Sequence, residues 1–549
     1  MAKTGPIIVL DPGKDRTKGR DALSMNIAAA KAVAKLVQST FGPKGMDKML
    51  VNKLGMVTMT NDGAGILRDI GIEHPAAKMI VEVARSMEST AGDGTTGSVI
   101  FAAALLEKAE KMIKKGIHPT VIINGYRKAE EKAHEILEKS TVEVTKANRA
   151  DILKKAAMTS MTGKVAEAYK EKLADICIKA AEIVEEDGFV DVRTKIIRVA
   201  ELQRRVDEIE VVEGLALNTT ALSYKAPKKI ENPKIAVLDT EIAVTKTKVD
   251  SKVYVGTPEE RNLIIENKQE ALLNIAKAIA DTGATAIFTT KAVRPIVLEY
   301  FDKRGIFVSH PIDEKIIENV SYATGARIVR NPRDISENDL GKAAVLEQDT
   351  KNGGGKTYIR GGYHSKVATI VVRGETLQNA DSVDTCLDNA LWVVKSAIED
   401  GKIVAGGGAS EMAIALGLSS YAPTIGGYEQ SVISSYAQAL EELPKALIRN
   451  SGLDVIDLSL ALRAAHTKNK NAGVNVFTGK IVDMMKEGVV DSYRVKSNTL
   501  KAATDAAVMV LRIDEVLRAK YTREMPNVKP EHMASSYDGK APPQLNERR

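Results

Sequence analysis

Asp93 stands between two glycines in "AGDGTTG", and two threonines follow it at the head of a long apolar-periodic run. A Gly-Asp-Gly turn must be tight. If Thr95 or Thr96 caps the helix that follows, backbone N–H groups and the positive end of the helix dipole still face whatever lies before it. That arrangement suits a phosphate, and a carboxylate beside a bound phosphate is the usual way to hold Mg²⁺, a hard cation that takes oxygen ligands. The same residues also serve as a plain capped helix after a glycine turn, so the motif alone leaves both readings open.

Two further loops and a glycine cluster carry matching chemistry. "TFGPKG", from Thr40 to Gly45, can bring backbone amides and Lys44 to the same anion, and "TNDGAG" offers Asp62 between Asn61 and Gly63 at a strand end. "VAGGGASE" lets backbone approach closely around Gly407 and then opens another helix. Together they predict a nucleotide site. "KNGGGKTYIRGG" is a decoy: Thr350 stands where the first glycine of a P-loop belongs and strand-like sequence follows, so a hairpin or loop is expected. The seven histidines are scattered, with no H-E-x-x-H or His/Cys grouping, and no Gly-x-Ser-x-Gly elbow occurs.

The elements that must position these loops follow from periodicity. Helical spacing predicts helices over Asp21–Val37, Pro75–Ser89 and Thr95–Lys115, the first stopped by Gly42 and Pro43, and "MLVNKLGMVTMT" predicts two short strands about a turn at Gly55, ending in a loop around Asp62. From about Glu208 the texture becomes α/β or α+β, with strand-like runs at "KIAVL", "ATAIFTT", "GIFVSH", "ARIVR" and "VATIVVRG". From Asp381 onward helices dominate again, which predicts an Ala-rich helical body built from both chain ends with the middle inserted. In the middle, Thr257, Pro258 and Glu260 form a capping-box pattern opening a helix whose first half carries Leu263, Ile264 and Ile265 in succession. That run is wider than one buried stripe needs, and it reads first as core-packed and alternatively as an exposed apolar patch.

Bulk properties narrow the function. A chain of 549 residues exceeds one core and predicts about two to four domains. Its 78 basic and 72 acidic residues alternate along the sequence, leaving net +6 without a nucleic-acid stripe, and 4% aromatic content gives no base-stacking platform. Cys177 and Cys386 form neither a disulfide framework nor a zinc spacing, which fits a reducing cytoplasm. No apolar run is long enough to span a bilayer and no signal core opens the chain, so a soluble, unprocessed protein is expected. From Thr522 the tail is polar, proline-bearing and aperiodic, and disorder is expected there.

In order, "FGPKGMDKML", "TNDGAGIL", "EHPAAKM", "GDGTT", "TSMTGK", "VAGGGASE", "GLDVIDL" and "GVNVFTG" resemble the group II chaperonins, the archaeal thermosome subunits among them, from about Arg20 to Lys520. The resemblance implies a mainly α-helical equatorial domain from both chain ends (1–147 and 402–521), a small α+β intermediate domain (148–216 and 368–401) and an inserted α/β apical domain (217–367). It also implies a helical lid protrusion near 244–282, which reverses the core reading of Leu263–Ile265, and leaves 522–549 as a tail. It further implies ATP and Mg²⁺ as cofactors, unfolded proteins as clients, and homo- or hetero-oligomeric assembly in two stacked rings of eight or nine. By motif, Asp93 is the implied metal ligand. Thr40, Gly42, Pro43, Gly94, Thr95, Thr96 and Gly97 are the implied phosphate holders, Gly407 and Asp491 line the adenosine side, Lys164 senses the γ-phosphate, and Asp62 orients or deprotonates the attacking water.

Where the family carries a second water-directing aspartate, this chain reads "CLDNALWVVKSAIEDG" and places Asn389. An amide can orient water but cannot accept a proton and adds no charge beside the metal, so slowed hydrolysis with retained ATP binding is expected. Asp388 lies about 100° around the helix and is not expected to face the same water. Gly97, Gly65 and Ser492 also depart from the family pattern, as expected of a divergent paralogue. Two readings follow: an ATP-dependent folding chaperonin subunit, or an ATP-binding, hydrolysis-impaired structural or regulatory subunit of a hetero-oligomeric ring. A nucleic-acid or membrane ATPase lacks the basic stripe, aromatics or amphipathic anchor it needs.

Overall fold

Described are residues 16–51, 55, 57–202, 204–242, 257–349, 355–364 and 366–517 of a computed structural model. The tail from Thr522 and residues 243–256 at the start of the lid expectation lie outside them. So does the Glu260 side chain of the capping-box pattern.

The first helix, Gly19–Gln38, buries Ala22, Leu23, Ile27, Ala30, Val33, Ala34 and Val37, a stripe at helical spacing. It ends before Gly42 and Pro43, with Thr40 Oγ1 donating to Val37 C=O at 2.8 Å. Helices Pro75–Thr90, Thr95–Lys114 and Pro119–Glu138 follow, and Ala-rich composition lets them pack closely. Their buried faces join Ala409–Ile425, Gly427–Leu440 and Tyr493–Leu511 in one cluster that draws on both ends of the chain. At its centre Tyr436 meets Phe101 and Tyr126 edge-on, with ring centroids 5.3 and 5.6 Å apart. Tyr126 Oη donates to Leu105 C=O at 2.7 Å. Each such aromatic pair adds about 0.5–1.5 kcal/mol beyond its buried area. At the periphery, strand Arg16–Lys18 pairs antiparallel with Glu515–Leu517.

A second cluster joins helices Arg149–Met161 and Lys170–Val184 to Leu377–Asp400 and to a three-stranded sheet. In that sheet Ala368–Gly374 lies between Ile196–Leu202, parallel to it, and Glu210–Glu213, antiparallel. The middle of the chain holds a mainly parallel sheet in the order Phe307–Val308, Ala286–Thr289, Lys234–Leu238, Ile328–Val329, with Gly341–Lys342 antiparallel to Lys234–Leu238, and an antiparallel sheet of Leu215–Leu217, Lys356–Arg360, Val345–Asp349 and Lys229–Glu231. The P-loop decoy falls between Val345–Asp349 and Lys356–Arg360, a paired hairpin whose tip lies outside the described residues.

Helix Pro258–Asp281 is divided along its length. Leu272, Ile275, Ala276 and Ile279 are buried against the parallel sheet, whereas Leu263 and Ile265 are 61% and 43% exposed. The core reading of that apolar run therefore fails for Leu263 and Ile265, whose side chains stay in water.

Candidate nucleotide site

The first wall of the site is the Thr40–Pro43 loop. Asn450 Nδ2 donates to both Gln38 C=O and Phe41 C=O at 2.8 Å, pinning the loop to the far end of the chain. A Cβ on Gly163 would stand 2.1 Å from Pro43 C=O, so only glycine lets the "TSMTGK" loop press against the first. That contact carries Lys164 to the same space.

The second wall is the Gly92–Gly97 turn. The helix cap falls one residue earlier than expected: Gly94, at φ +79° in the left-handed region, is the N-cap, and neither threonine caps by side chain. Asp93 Oδ1 accepts from Gly94 N–H at 2.7 Å. With no side-chain cap, the first-turn N–H groups from Thr95 to Gly97 stay available to a ligand. A second helix, Ala409–Ile425, opens on the same cavity from an uncapped Gly408 at φ +80°. Two positive dipole ends therefore face one space.

The third wall comes from sheet pairing. Lys402–Ala405 lies antiparallel to Val490–Ser492, with Val404 opposite Asp491, which sets Asp491 beside the Gly406–Gly408 bend. Val474 N–H donates to Gly407 C=O at 3.0 Å, bringing up Val474–Phe477.

These walls enclose a cavity of about 290 Å³. Thr40, Gly42, Pro43, Asp62, Asp93, Gly94, Thr95, Thr96, Gly97, Lys164, Asn389, Gly407 and Asp491 line it; Lys44, which the sequence also offered to the anion, does not, and its ammonium lies 5.8 Å from the Phe477 ring centroid. Asp62 lies in the short loop after Val57–Thr60, as expected, and is the N-cap of Gly63–Asp69, its Oδ2 accepting from Gly65 N–H at 2.6 Å. Asn389, oriented to satisfy both neighbours, accepts from Lys164 Nζ at 2.7 Å and donates to Gly92 C=O at 3.0 Å. Asp388 turns elsewhere: it and Asp384 both pair with Arg198, in a cleft behind the turn.

Sequence reasoning missed Lys496 and Glu411. Lys496 Nζ pairs with Asp491 Oδ2 and Glu411 Oε1, each at 2.7 Å. Burial alone would lower the lysine's pKa, but Asp491 and Glu411 hold the ammonium above its ordinary range. No local pattern joins these three residues. The signal is the meeting of a strand end with two helix starts, which appears only once the chain is folded.

The donor set fits magnesium and a nucleotide. Uncapped N–H groups, a hydroxyl-bearing first turn and Asp93 suit a phosphate with a hard cation, and the apolar wall of Leu443, Leu447, Val474 and Met484 suits a flat base. Among the described residues, no group of three His, Cys, Asp or Glu is placed to hold a metal by itself, so bound phosphate oxygens would have to complete the cation's shell. Among them, too, no helix is long and apolar enough to cross a membrane.

Known proteins are similar to this chain over most of its length. The model of the TCP-1/cpn60 chaperonin family matches residues 33–521. The chain is 43% identical over 515 residues to thermosome subunit beta of Methanothermobacter thermautotrophicus, covering 94% of this chain and 95% of that protein. It is 42% identical to thermosome subunit beta of Archaeoglobus fulgidus, over 94% of this chain and 95% of the relative. With thermosome subunit alpha of Methanothermobacter thermautotrophicus it shares 42%, over 94% of each.

Proposed function

We propose, from the premise that the chain belongs to the TCP-1/cpn60 chaperonin family, that it is an ATP-dependent subunit of a group II chaperonin ring that assists protein folding. The observation that carries the nucleotide part is the convergence of the expected residues, from seven separate stretches of chain, on one cavity. In this reading the cluster built from both chain ends is the equatorial ATP-binding domain, the cluster around Leu377–Asp400 the intermediate domain, and the two central sheets the apical domain that meets unfolded clients. Relatives named as alpha and beta subunits support assembly with paralogues in two stacked rings.

Asp93 would hold Mg²⁺, and the N–H groups of Thr95 to Gly97 and of Gly42 would bind phosphate oxygens, with Thr40, Pro43 and Gly94 shaping the two loops that present them. Magnesium, when bound, neutralises phosphate charge and orients the terminal phosphoryl group. Lys164 delivers a positive charge to the same end of the cavity. Asp62 is the carboxylate able to take a proton from water. Asn389 can orient that water but not deprotonate it. Gly407 and Asp491 face the adenosine side, with Lys496 fixing the Asp491 carboxylate.

Asn389 favours a second reading, a subunit that binds ATP and turns it over slowly beside more active paralogues. Steady-state hydrolysis by the assembled protein and by Asn389→Asp, at equal Mg²⁺ and elevated temperature, separates them. A rise of about tenfold or more in the variant, on the order of 1.4 kcal/mol of barrier, supports the slow subunit. Robust turnover in the unmodified chain with no gain in the variant rejects it.

A further inference from the structure

The proposed chemistry makes no use of Trp392, the single tryptophan of the chain. Helix Leu377–Asp400 reaches the Gly-Asp-Gly turn at two points. Asn389 Nδ2 donates to Gly92 C=O at 3.0 Å. Three residues on, and so on the same helix face, Trp392 packs against the same glycine. A Cβ built on Gly92 would fall 2.1 Å from Trp392 Cγ, so only a hydrogen fits between the turn and the indole. Gly92 sits at φ +68°, a conformation that also favours glycine.

Trp392 is 7% exposed. The Arg193 guanidinium and the Lys395 ammonium each lie 5.2 Å from its ring centroid. Arg193 Nη2 also donates to Ser89 C=O at 2.8 Å, in the last turn of the helix that runs into Gly92. The indole is thus held between the turn and a cation that itself grips the chain entering the turn.

We infer that Asn389 and Trp392 form a two-point clasp on Gly92 that seats the Asp93 turn before nucleotide arrives. The inference rests on the nucleotide reading of the cavity. Both are positioning residues with respect to Asp93 and the first N–H groups of helix Thr95–Lys114, which they reach through backbone. A turn already seated spares binding the ordering that a loose one would cost. An aspartate at 389 would present an acceptor to the Gly92 carbonyl, opening one point of the clasp while the indole keeps the other. Asn389→Asp should therefore bind Mg²⁺·ATP more weakly even where it hydrolyses faster, a split between KM and kcat.

One tryptophan means that emission reads the clasp directly. Assembled full-length protein is titrated with Mg²⁺·ATP, following the heat of binding for the unmodified chain, Trp392→Phe, Trp392→Ala and Asn389→Ala, and Trp392 emission for the unmodified chain and Asn389→Ala, which keep the indole. A saturable emission change is expected, with a midpoint matching the calorimetric one. Trp392→Phe should bind within about twofold of the unmodified chain and Trp392→Ala about tenfold more weakly, as the pre-seated fraction falls. Emission indifferent to saturating nucleotide, with unchanged affinity in Trp392→Ala, overturns the clasp. Should Trp392→Ala fail to assemble, Asn389→Ala decides: weaker binding with shifted emission supports the clasp, and neither change rejects it. No calorimetric binding by the unmodified chain is a different failure, that of the nucleotide reading itself.

Discussion

The candidate nucleotide cavity and the helix Pro258–Asp281 solve opposite problems. The cavity gathers short glycine-bearing loops from distant parts of the chain and fixes each one by backbone contact, hydrogen bond or buried ion pair. The helix is one continuous element that spends half its length in the core and, in its largely polar other half, leaves Leu263 and Ile265 exposed. Chemistry on a small polar ligand needs parts held to within fractions of an ångström. Contact with unfolded chains needs only accessible apolar area.

Lys496→Met breaks the comparison from the cavity side. It leaves the Asp491 and Glu411 carboxylates facing each other without their cation, a loss of roughly 3–5 kcal/mol. A clear fall in the thermal midpoint of the assembled protein, at fixed protein concentration, is expected. A midpoint that does not move would mean that the cavity wall tolerates slack.

Paired alanine variants sharpen it from the helix side. Ile275→Ala removes a buried side chain and should cost about 2–5 kcal/mol. Leu263→Ala, at 61% exposure, should stay within about 0.5 kcal/mol while weakening capture of a denatured client. Equal stability losses in the two variants would erase the distinction between the halves.

The smallest effect tests whether the cavity's supports are protonation-sensitive. Burial lowers the pKa of His466, whose Nε2 is 2.7 Å from Ala472 C=O beneath strand Ala472–Asn475. The unfolded chain therefore binds the proton more readily, and the stabilising contribution is lost as pH falls below about 6.5. Comparing the midpoint near pH 7.5 and pH 5.5 in the unmodified chain and in His466→Gln should show a slightly smaller acid loss in the variant.

Legibility in the sequence followed how local each cause was. "GDGTT" could be read because a glycine turn, a carboxylate and a helix start are all set within a few residues. The exact cap could not, since Gly94 rather than a threonine takes the left-handed position. Both joined chain ends were legible from their shared Ala-rich texture. Lys496 was not, because its two carboxylates lie 5 and 85 residues away and meet it only across a strand and a helix start. Leu263–Ile265 misled for the same reason: an apolar run reports what a surface prefers, not whether anything covers it.

The pairing of both chain ends in one core also sets a timetable. Leu23–Leu137 cannot complete their packing until Val404–Leu511 have been made. At about 5–20 residues per second, the first helices wait tens of seconds on the ribosome with their apolar stripes exposed. The central sheets, whose strands all fall between Leu215 and Arg360, can close as they emerge. During its own synthesis, the body that would bind ATP is therefore the one whose apolar surface waits longest for its partner.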